Sequence, residues 1–452
     1  MLARRLKSLL PLGLLLCLLI ISSVAQAQGS FSVDEAVKYA LTNSSTAKNA
    51  ALDEQSARAK VREITTIGFP QVNASYNVSN NYIIQSVIIP DGGVFGGTPG
   101  QPLALKFQPQ YGGQAVLSVN QLIFDGSYIV GLQAAQTYRE LASRASDISR
   151  TQVIYNVKSA YYNVLIARER KALLDINVAR LDSTLSEMRV MLANGFVEKL
   201  DVDRLQLQRN NLVTDRDNVT RLADVALALL KFQMNFPAKD PLELRDPLAQ
   251  VMLNNDLLNG SATDYNKVPE YKLLLTQKRA AELELKNVRA GYLPSLGAQA
   301  TRGALAGSNS FDRVLDPSGD WYAFGAIGLS IQVPIFDSFS KRYQAQQKKI
   351  GVLKVENGMQ DMRRFIDLSI DQAGISLKNA VEMIENQKDN LLLAENVLEV
   401  SRKKYAAGVG SNLEVISAVS DFRQAQTNYL GVVYSLLLAK LDLEKAKGEL
   451  IR

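Results

Sequence analysis

The chain of 452 residues contains no histidine and only one cysteine, Cys17. Without histidine there is no imidazole base, no imidazole metal ligand and no Ser-His-Asp triad. Cys17 lies in an apolar run near the N-terminus, so the rest of the chain forms neither a disulfide nor a thiolate metal site. An enzyme would have to rest on carboxylates, lysines or a bound cofactor, and no convergent motif for one is present. We therefore expect a non-enzyme, with no cofactor and no metal. Charge is also scarce. The first 27 residues hold no acid, and removing their Arg4, Arg5 and Lys7 lowers the formal charge from +6 to +3. That bias is too slight over such a length to point to nucleic acid. Beyond the leader no stretch reaches the roughly eighteen apolar residues of a membrane helix. Insertion into a bilayer would have to use strands.

What is present begins with that leader. Arg4, Arg5 and Lys7 form a positive segment, residues 9–21 are apolar, and Ala25-Gln26-Ala27 is a small-x-small cleavage pattern. Residues 1–27 therefore read as a secretory signal peptide. Leu16 precedes Cys17 where a lipid-attachment signal would want a small residue, so Cys17 reads as filler of the apolar run.

Repeats organise the remainder. Gly68-Phe69-Pro70 pairs with Tyr292-Leu293-Pro294, and Ile123-Phe124-Asp125 with Ile335-Phe336-Asp337. Ala193-Asn194-Gly195 with Leu200-Asp201-Val202 pairs with Ala406-Ala407-Gly408 and Leu413-Glu414-Val415. The offsets are 224, 212 and 213 residues, so the interval between the last two pairs is one element of fixed length. The plan is a first repeat at 28–236, a connector at 237–266 rich in proline and asparagine, and a second repeat at 267–452.

Each repeat reads helix, strand, loop, strand, very long helix, tight turn, helix. Ser32-Val33-Asp34-Glu35 is a capping-box start. Residues 47–67 and 269–290 carry good helix formers and stop before a proline. Period-two alternation marks strands at 72–78, 115–120, 295–300 (a short one) and 327–333. Such segments suit a half-buried soluble sheet or an outer-membrane strand, and the pattern alone favours the soluble sheet. Residues 127–194 lack proline, and Leu174, Val178, Leu181, Leu185, Met188 and Leu192 alternate steps of four and three as a coiled-coil seam. In the second repeat Ile384, Leu391, Leu398 and Tyr405 recur every seven residues. A helix of that length extends about 100 Å, beyond what a globular domain needs.

Four strands close no membrane barrel, since the smallest has about eight. In lipid they would have to be completed by other copies of the chain.

Residues 31–37 (FSVDEAV), the strand starts at Pro70 and Pro294, Pro334-Ile335-Phe336-Asp337 and the turn from Gly408 to Val415 together resemble the TolC-type outer-membrane efflux channel family. The likeness spans the chain after the leader. It implies an α+β membrane protein: a homotrimer with a twelve-stranded β-barrel, four strands per chain, in outer-membrane lipid. A long α-helical barrel would cross the periplasm, with a mixed belt supplied by the connector and the C-terminal end. It implies a passive exit channel of a tripartite efflux or type I secretion system, docking with a periplasmic adaptor and an inner-membrane transporter. The rival reading is a periplasmic coiled-coil scaffold or adaptor without a pore.

The resemblance also assigns residues. The helix-hairpin tips (Gly195, Phe196, Val197, Leu200 and Asp201; Gly408, Val409 and Leu413) would dock the adaptor, with Phe196 and Val197 expected to be exposed. Glu414 matches an acid at the pore entrance, while the family's second acid is Ser417 here. Trp321, Tyr322 and Phe324 at one end of the last hairpin, and Tyr292 and Phe336 at the other, are the expected membrane girdle. Against these stand plainer roles: glycine as a helix terminator, and Glu414 and Asp201 as partners of a helix dipole.

Overall fold

The computed structural model describes residues 30–248 and 263–451; the leader expected at 1–27 and residues 249–262 of the connector lie outside the described residues. In chain order the elements are β1 (Ser30–Phe31), α1 (Val33–Asn43), α2 (Ser45–Thr66), β2 (Gln71–Asn80), β3 (Val87–Ile89), β4 (Leu103–Leu105), β5 (Tyr111–Phe124), α3 (Gly126–Ala193), α4 (Lys199–Met234) and β6 (Glu243–Leu244). There follow α5 (Pro269–Ala290), β7 (Ser295–Ser308), α6 (Phe311–Leu315), β8 (Tyr322–Gln332), α7 (Ser340–Ala406) and α8 (Asn412–Ala446). The chain divides into two compact units, each drawing on both repeats: 55–141 with 276–356, and 1–54 with 142–275 and 357–452.

The first unit is built on a four-stranded antiparallel sheet in the order β2-β5-β7-β8. Its register joins residues in rows: Val72, Val119, Ala300 and Ile327 form one, and Asn73, Ser118, Thr301 and Ala326 the next. Because side chains alternate between faces along a strand, one face is apolar, with Tyr76, Leu117, Leu329 and Ile331. The other carries Asn77, Asn120, Gln299, Ser330 and Gln332. β7 is not short, as the sequence suggested, but 14 residues long. Gly303, Ala304 and Gly307 have weak strand propensity, yet β7 is held extended by its neighbours, paired with β5 as far as Ser308 and with β8 as far as Leu305. The helical ends in this unit are tied by ion pairs, Arg279–Glu140 at 2.6 Å and Lys278–Glu356 at 2.8 Å.

The second unit is helical. Ser32 caps α1: its hydroxyl accepts from the Glu35 N–H at 3.3 Å while the Glu35 carboxylate accepts from the Ser32 N–H at 2.8 Å. β1 pairs in parallel with β6. Asp246 accepts from the Val33 N–H at 2.7 Å and from the Tyr161 hydroxyl at 3.2 Å. Burial raises the Tyr161 hydroxyl's pKa, so it stays a donor. The main core gathers Ala36 and Ala40 of α1, Val157 and Tyr161 of α3, Leu230 and Met234 of α4, Val433, Leu437 and Leu441 of α8, and Leu450. Each large aliphatic side chain buried there contributes about 1.5–3 kcal/mol.

α3 and α7 run unbroken for 68 and 67 residues. The expected seam is present: Leu174, Val178, Leu181, Leu185 and Met188 are buried against Val202, Leu205, Leu212 and Val219 of α4, with Leu192 packed at the edge. In the second hairpin Leu398 is buried with Ala418 and Phe422, and Leu391 packs against them. Among the described residues no helix is long and apolar enough to cross a membrane.

Candidate functional site

The two hairpin ends are built alike. Gly195 has φ +77° and Gly408 φ +74°, the left-handed backbone that ends a helix at glycine without a Cβ penalty. The Phe196 N–H then donates to Met191 O at 2.9 Å, and the Val409 N–H to Lys404 O at 3.1 Å, closing the same terminal loop twice. Phe196 and Val409 stand 77% and 78% exposed, and Leu200 and Leu413 are exposed beside them. Val197 departs from expectation. It packs against the α3–α4 seam and is only partly exposed, because the turn that closes on Gly195 swings it back onto the coiled coil.

The side chains at the two ends differ. The Ser411 hydroxyl accepts from the Glu414 N–H at 3.2 Å and caps α8, while Glu198 at the start of α4 makes no side-chain cap. Asn412 is 6% exposed, and its amide donates to Asp201 twice: to Oδ1 at 3.0 Å and to the backbone carbonyl at 3.2 Å. Asp201 therefore accepts a link from the other hairpin as well as favouring its own helix N-terminus. Glu414 and Ser417 are exposed one turn apart on α8, on one helix face.

Further up, Arg209 pairs with Asp182 at 2.8 Å and Arg423 with Asp215 at 3.2 Å, and Asn177 donates to Gln426 at 2.7 Å. Arg402 and Tyr405 of α7 are less well served: Arg402 Nε and the Tyr405 hydroxyl are buried with no hydrogen-bond partner among the described residues. Burial and then the neighbouring Arg180 lower the Arg402 pKa, against a weaker pull from Glu187. Burial and then the Asp201 charge raise that of Tyr405. Sequence reasoning passed over Asn412 and Arg402. No local pattern marks Asn412, since its partner is 211 residues away.

At the sheet, the girdle residues separate. Trp321 stacks on Tyr76 with ring centroids 6.1 Å apart, at the loop end of the apolar face. At the opposite end Tyr292 lies under the Lys341 ammonium at 5.4 Å, and Phe336 packs edge-on against Phe339 at 5.7 Å. Tyr322 and Phe324 lie on the other face of the sheet from Tyr76. Register sets Tyr322 in a row with Leu305, Gln114 and Asn77, and Phe324 in a row with Gly303, Val116 and Ser75, on the face opposite Tyr76 and Ile327. The Phe324 ring lies where a Cβ on Gly303 would be, 2.6 Å from that position. The reason is parity: both are even-numbered in a strand whose Ile327, Leu329 and Ile331 are odd.

The sequence pattern of the outer membrane efflux protein family matches residues 36–229 and 276–449, one segment in each repeat. The chain belongs to the outer membrane efflux protein family. It is 24% identical to the outer membrane protein TolC of Escherichia coli (strain K12), over 98% of this chain and 87% of that protein. It is 23% identical to the proteases secretion protein PrtF of Dickeya chrysanthemi, over 74% of this chain and 72% of that one. The solved structure of CusC shares the fold, with a TM-score of 0.72 at 16% identity and 92% of both chains covered. The protein is thus an outer-membrane efflux channel of the TolC family, a transport protein and not an enzyme.

Proposed function

We propose that three copies of this chain assemble into a passive exit duct, twelve strands closing one barrel in the outer membrane and the long helices standing in the periplasm. The observation that carries this reading is the sheet itself. It has four strands, one apolar face, and edges β2 and β8 that pair with nothing among the described residues. Lipid tolerates no open edge, because each unpaired backbone group costs several kcal/mol there. Only further copies supply the missing partners. Two would give eight strands and an interior filled by side chains; three give twelve and leave a conduit.

In this reading the exposed tips dock a periplasmic adaptor that joins the channel to an inner-membrane transporter. Phe196, Leu200, Val409 and Leu413 form the contact, with Gly195 and Gly408 setting the turns, while Val197 belongs to the coiled coil. Exposed apolar side chains at a water-facing tip fit a partner surface. Glu414, with Ser417 beside it, faces the entrance, where three copies set a ring of carboxylates that favours cations. The girdle consists of Tyr76 and Trp321 at one rim and Tyr292 and Phe336 at the other. The name of PrtF ties one relative to protease secretion, so a secretion system is as compatible with this duct as a drug pump.

The test is extraction and conductance. The full chain should leave the outer membrane only with detergent, run at three times the monomer mass and give discrete conductance steps in a planar bilayer. A monomer that stays soluble in plain buffer would sink the duct and favour the poreless scaffold.

A further inference from the structure

The four strands together hold one charged side chain, Arg302 in β7. Its face decides its meaning. On the polar face, against a water-filled interior, an arginine would need no explanation. The register instead sets it in a row with Ala74, Leu117 and Gly325, on the face of Tyr76, Ile327 and Leu329. Arg302 is exposed, and its side chain makes no ion pair or hydrogen bond to any described residue. A lone guanidinium on a lipid-facing surface is destabilising, most of all near mid-bilayer. It persists there only if something outside the protein accepts its hydrogen bonds.

Two further observations say what that is. The row above Arg302 contains Tyr76, which stacks on Trp321 at the loop end of the sheet. Rows on one face are two residues apart, roughly 7 Å along a strand. An arginine side chain is about that long and its charged head is drawn toward the polar boundary, which puts the aromatic rim, where lipid headgroups would lie, within its reach. Beside it lies a shallow, open hollow of about 690 Å³ whose lining includes Leu117, Val119, Ala300, Gly325 and Ile327. A fixed planar cation at the headgroup level and a smooth apolar trough below it match a phosphate joined to an acyl chain. The guanidinium fork grips phosphate with two parallel hydrogen bonds.

We propose that this face binds one phosphate-bearing lipid of the outer leaflet per chain, its phosphate on Arg302 and an acyl chain crossing the row of Val119, Ala300 and Ile327 next to it. The leaflet follows from topology: the strand ends away from Arg302's rim lead into helices, and the rim side carries the loops 81–110 and 309–321. The inference rests on the barrel reading above.

The test uses the full-length channel in detergent. Bisphosphorylated lipid A is titrated in and bound copies are counted by native mass spectrometry, with dephosphorylated lipid A as control. Wild type should retain up to three lipids per trimer. Arg302→Ala should weaken binding by at least about tenfold, to the level of the dephosphorylated lipid, with Arg302→Lys in between. Because Arg302→Ala removes a charge from the lipid face, its trimer yield and conductance should match wild type. Equal affinity for wild type and Arg302→Ala, or equal binding with and without phosphate, overturns the proposal while a conducting trimer leaves the duct intact. A chain that forms no detergent-borne oligomer at all overturns both.

Discussion

The link between the two hairpin ends is open to direct measurement. Asn412→Ala removes both hydrogen bonds to Asp201, at 3.0 and 3.2 Å, and leaves the helix cap by Ser411 in place. A bond to a charged acceptor contributes about 1.5–3 kcal/mol and one to a neutral carbonyl about 1 kcal/mol. Asp201 is only half-buried, so water replaces part of both, and the loss should be about 2 kcal/mol, a roughly thirtyfold change in equilibrium. The readout is amide hydrogen exchange in residues 196–205 and 409–418, which reports local opening. Both segments should exchange about thirtyfold faster in the variant. A double-mutant cycle with Asp201→Ala separates the link from Asp201's own interaction with its helix dipole. A coupling energy near zero, with exchange at wild-type rates, would show that the ends are independent and that the contact is incidental.

Three other outcomes are expected. Gly195→Ala and Gly408→Ala should each lower stability by about 1 kcal/mol, read by thermal melting, and purely through the backbone because no atom lies within 4 Å of the new Cβ; asparagine should cost less. Leu205→Ala, at a site 1% exposed inside the α3–α4 seam, should cost about 2–5 kcal/mol in denaturant unfolding. Glu35 has its pKa held down first by the Ser32 N–H and also by Arg245, against a desolvation that raises it. Its stabilisation is therefore complete above the ordinary glutamate pKa and is lost as pH falls through the lower folded value. Glu35→Gln should flatten that acid limb of a melting-temperature profile.

Most of the helical architecture was readable because its signals are local. The proline-free run expected at 127–194 is α3 at Gly126–Ala193, and the helix at 269–290 has the expected bounds. Burial of Leu174 through Met188 follows from spacing alone. What was not readable depended on partners distant in sequence. β7 looked short because its second half is mostly glycine and alanine; pairing with β5 runs to Ser308 and pairing with β8 to Leu305, and these neighbours hold it extended. The parallel β1–β6 pair is two residues long on each side, below any periodicity. The orientation of Tyr322 and Phe324 was available from counting parity against Ile327 and Leu329. That of Val197 was not, since it depends on the turn geometry at Gly195. Asn412 looked like any polar residue in a first helical turn.

The duplication shows where the two repeats diverge. At the turn-to-helix offset of 213 residues, Gly195 corresponds to Gly408, Leu200 to Leu413 and Asp201 to Glu414. Backbone closure, the exposed apolar residue and the helix-start acid are thus retained in both ends. The same offset sets Lys199 against Asn412 and Glu198 against Ser411. Those two exchanges turn a symmetric pair of ends into a directed one. Asn412 is short, buried and neutral, and reaches Asp201. Lys199 is exposed and makes no ion pair with Glu414 among the described residues. Glu414 is therefore left facing water while Asp201 is tied. If the entrance ring is formed by Glu414, its carboxylates remain free because the bond that could have occupied them was built on one repeat only. Exchanging the pair, as Lys199→Asn with Asn412→Lys, removes the Asn412 amide from Asp201 and should speed exchange in both 196–205 and 409–418, as Asn412→Ala does. Exchange at wild-type rates in both segments of the exchanged pair would refute the assignment of the link to Asn412.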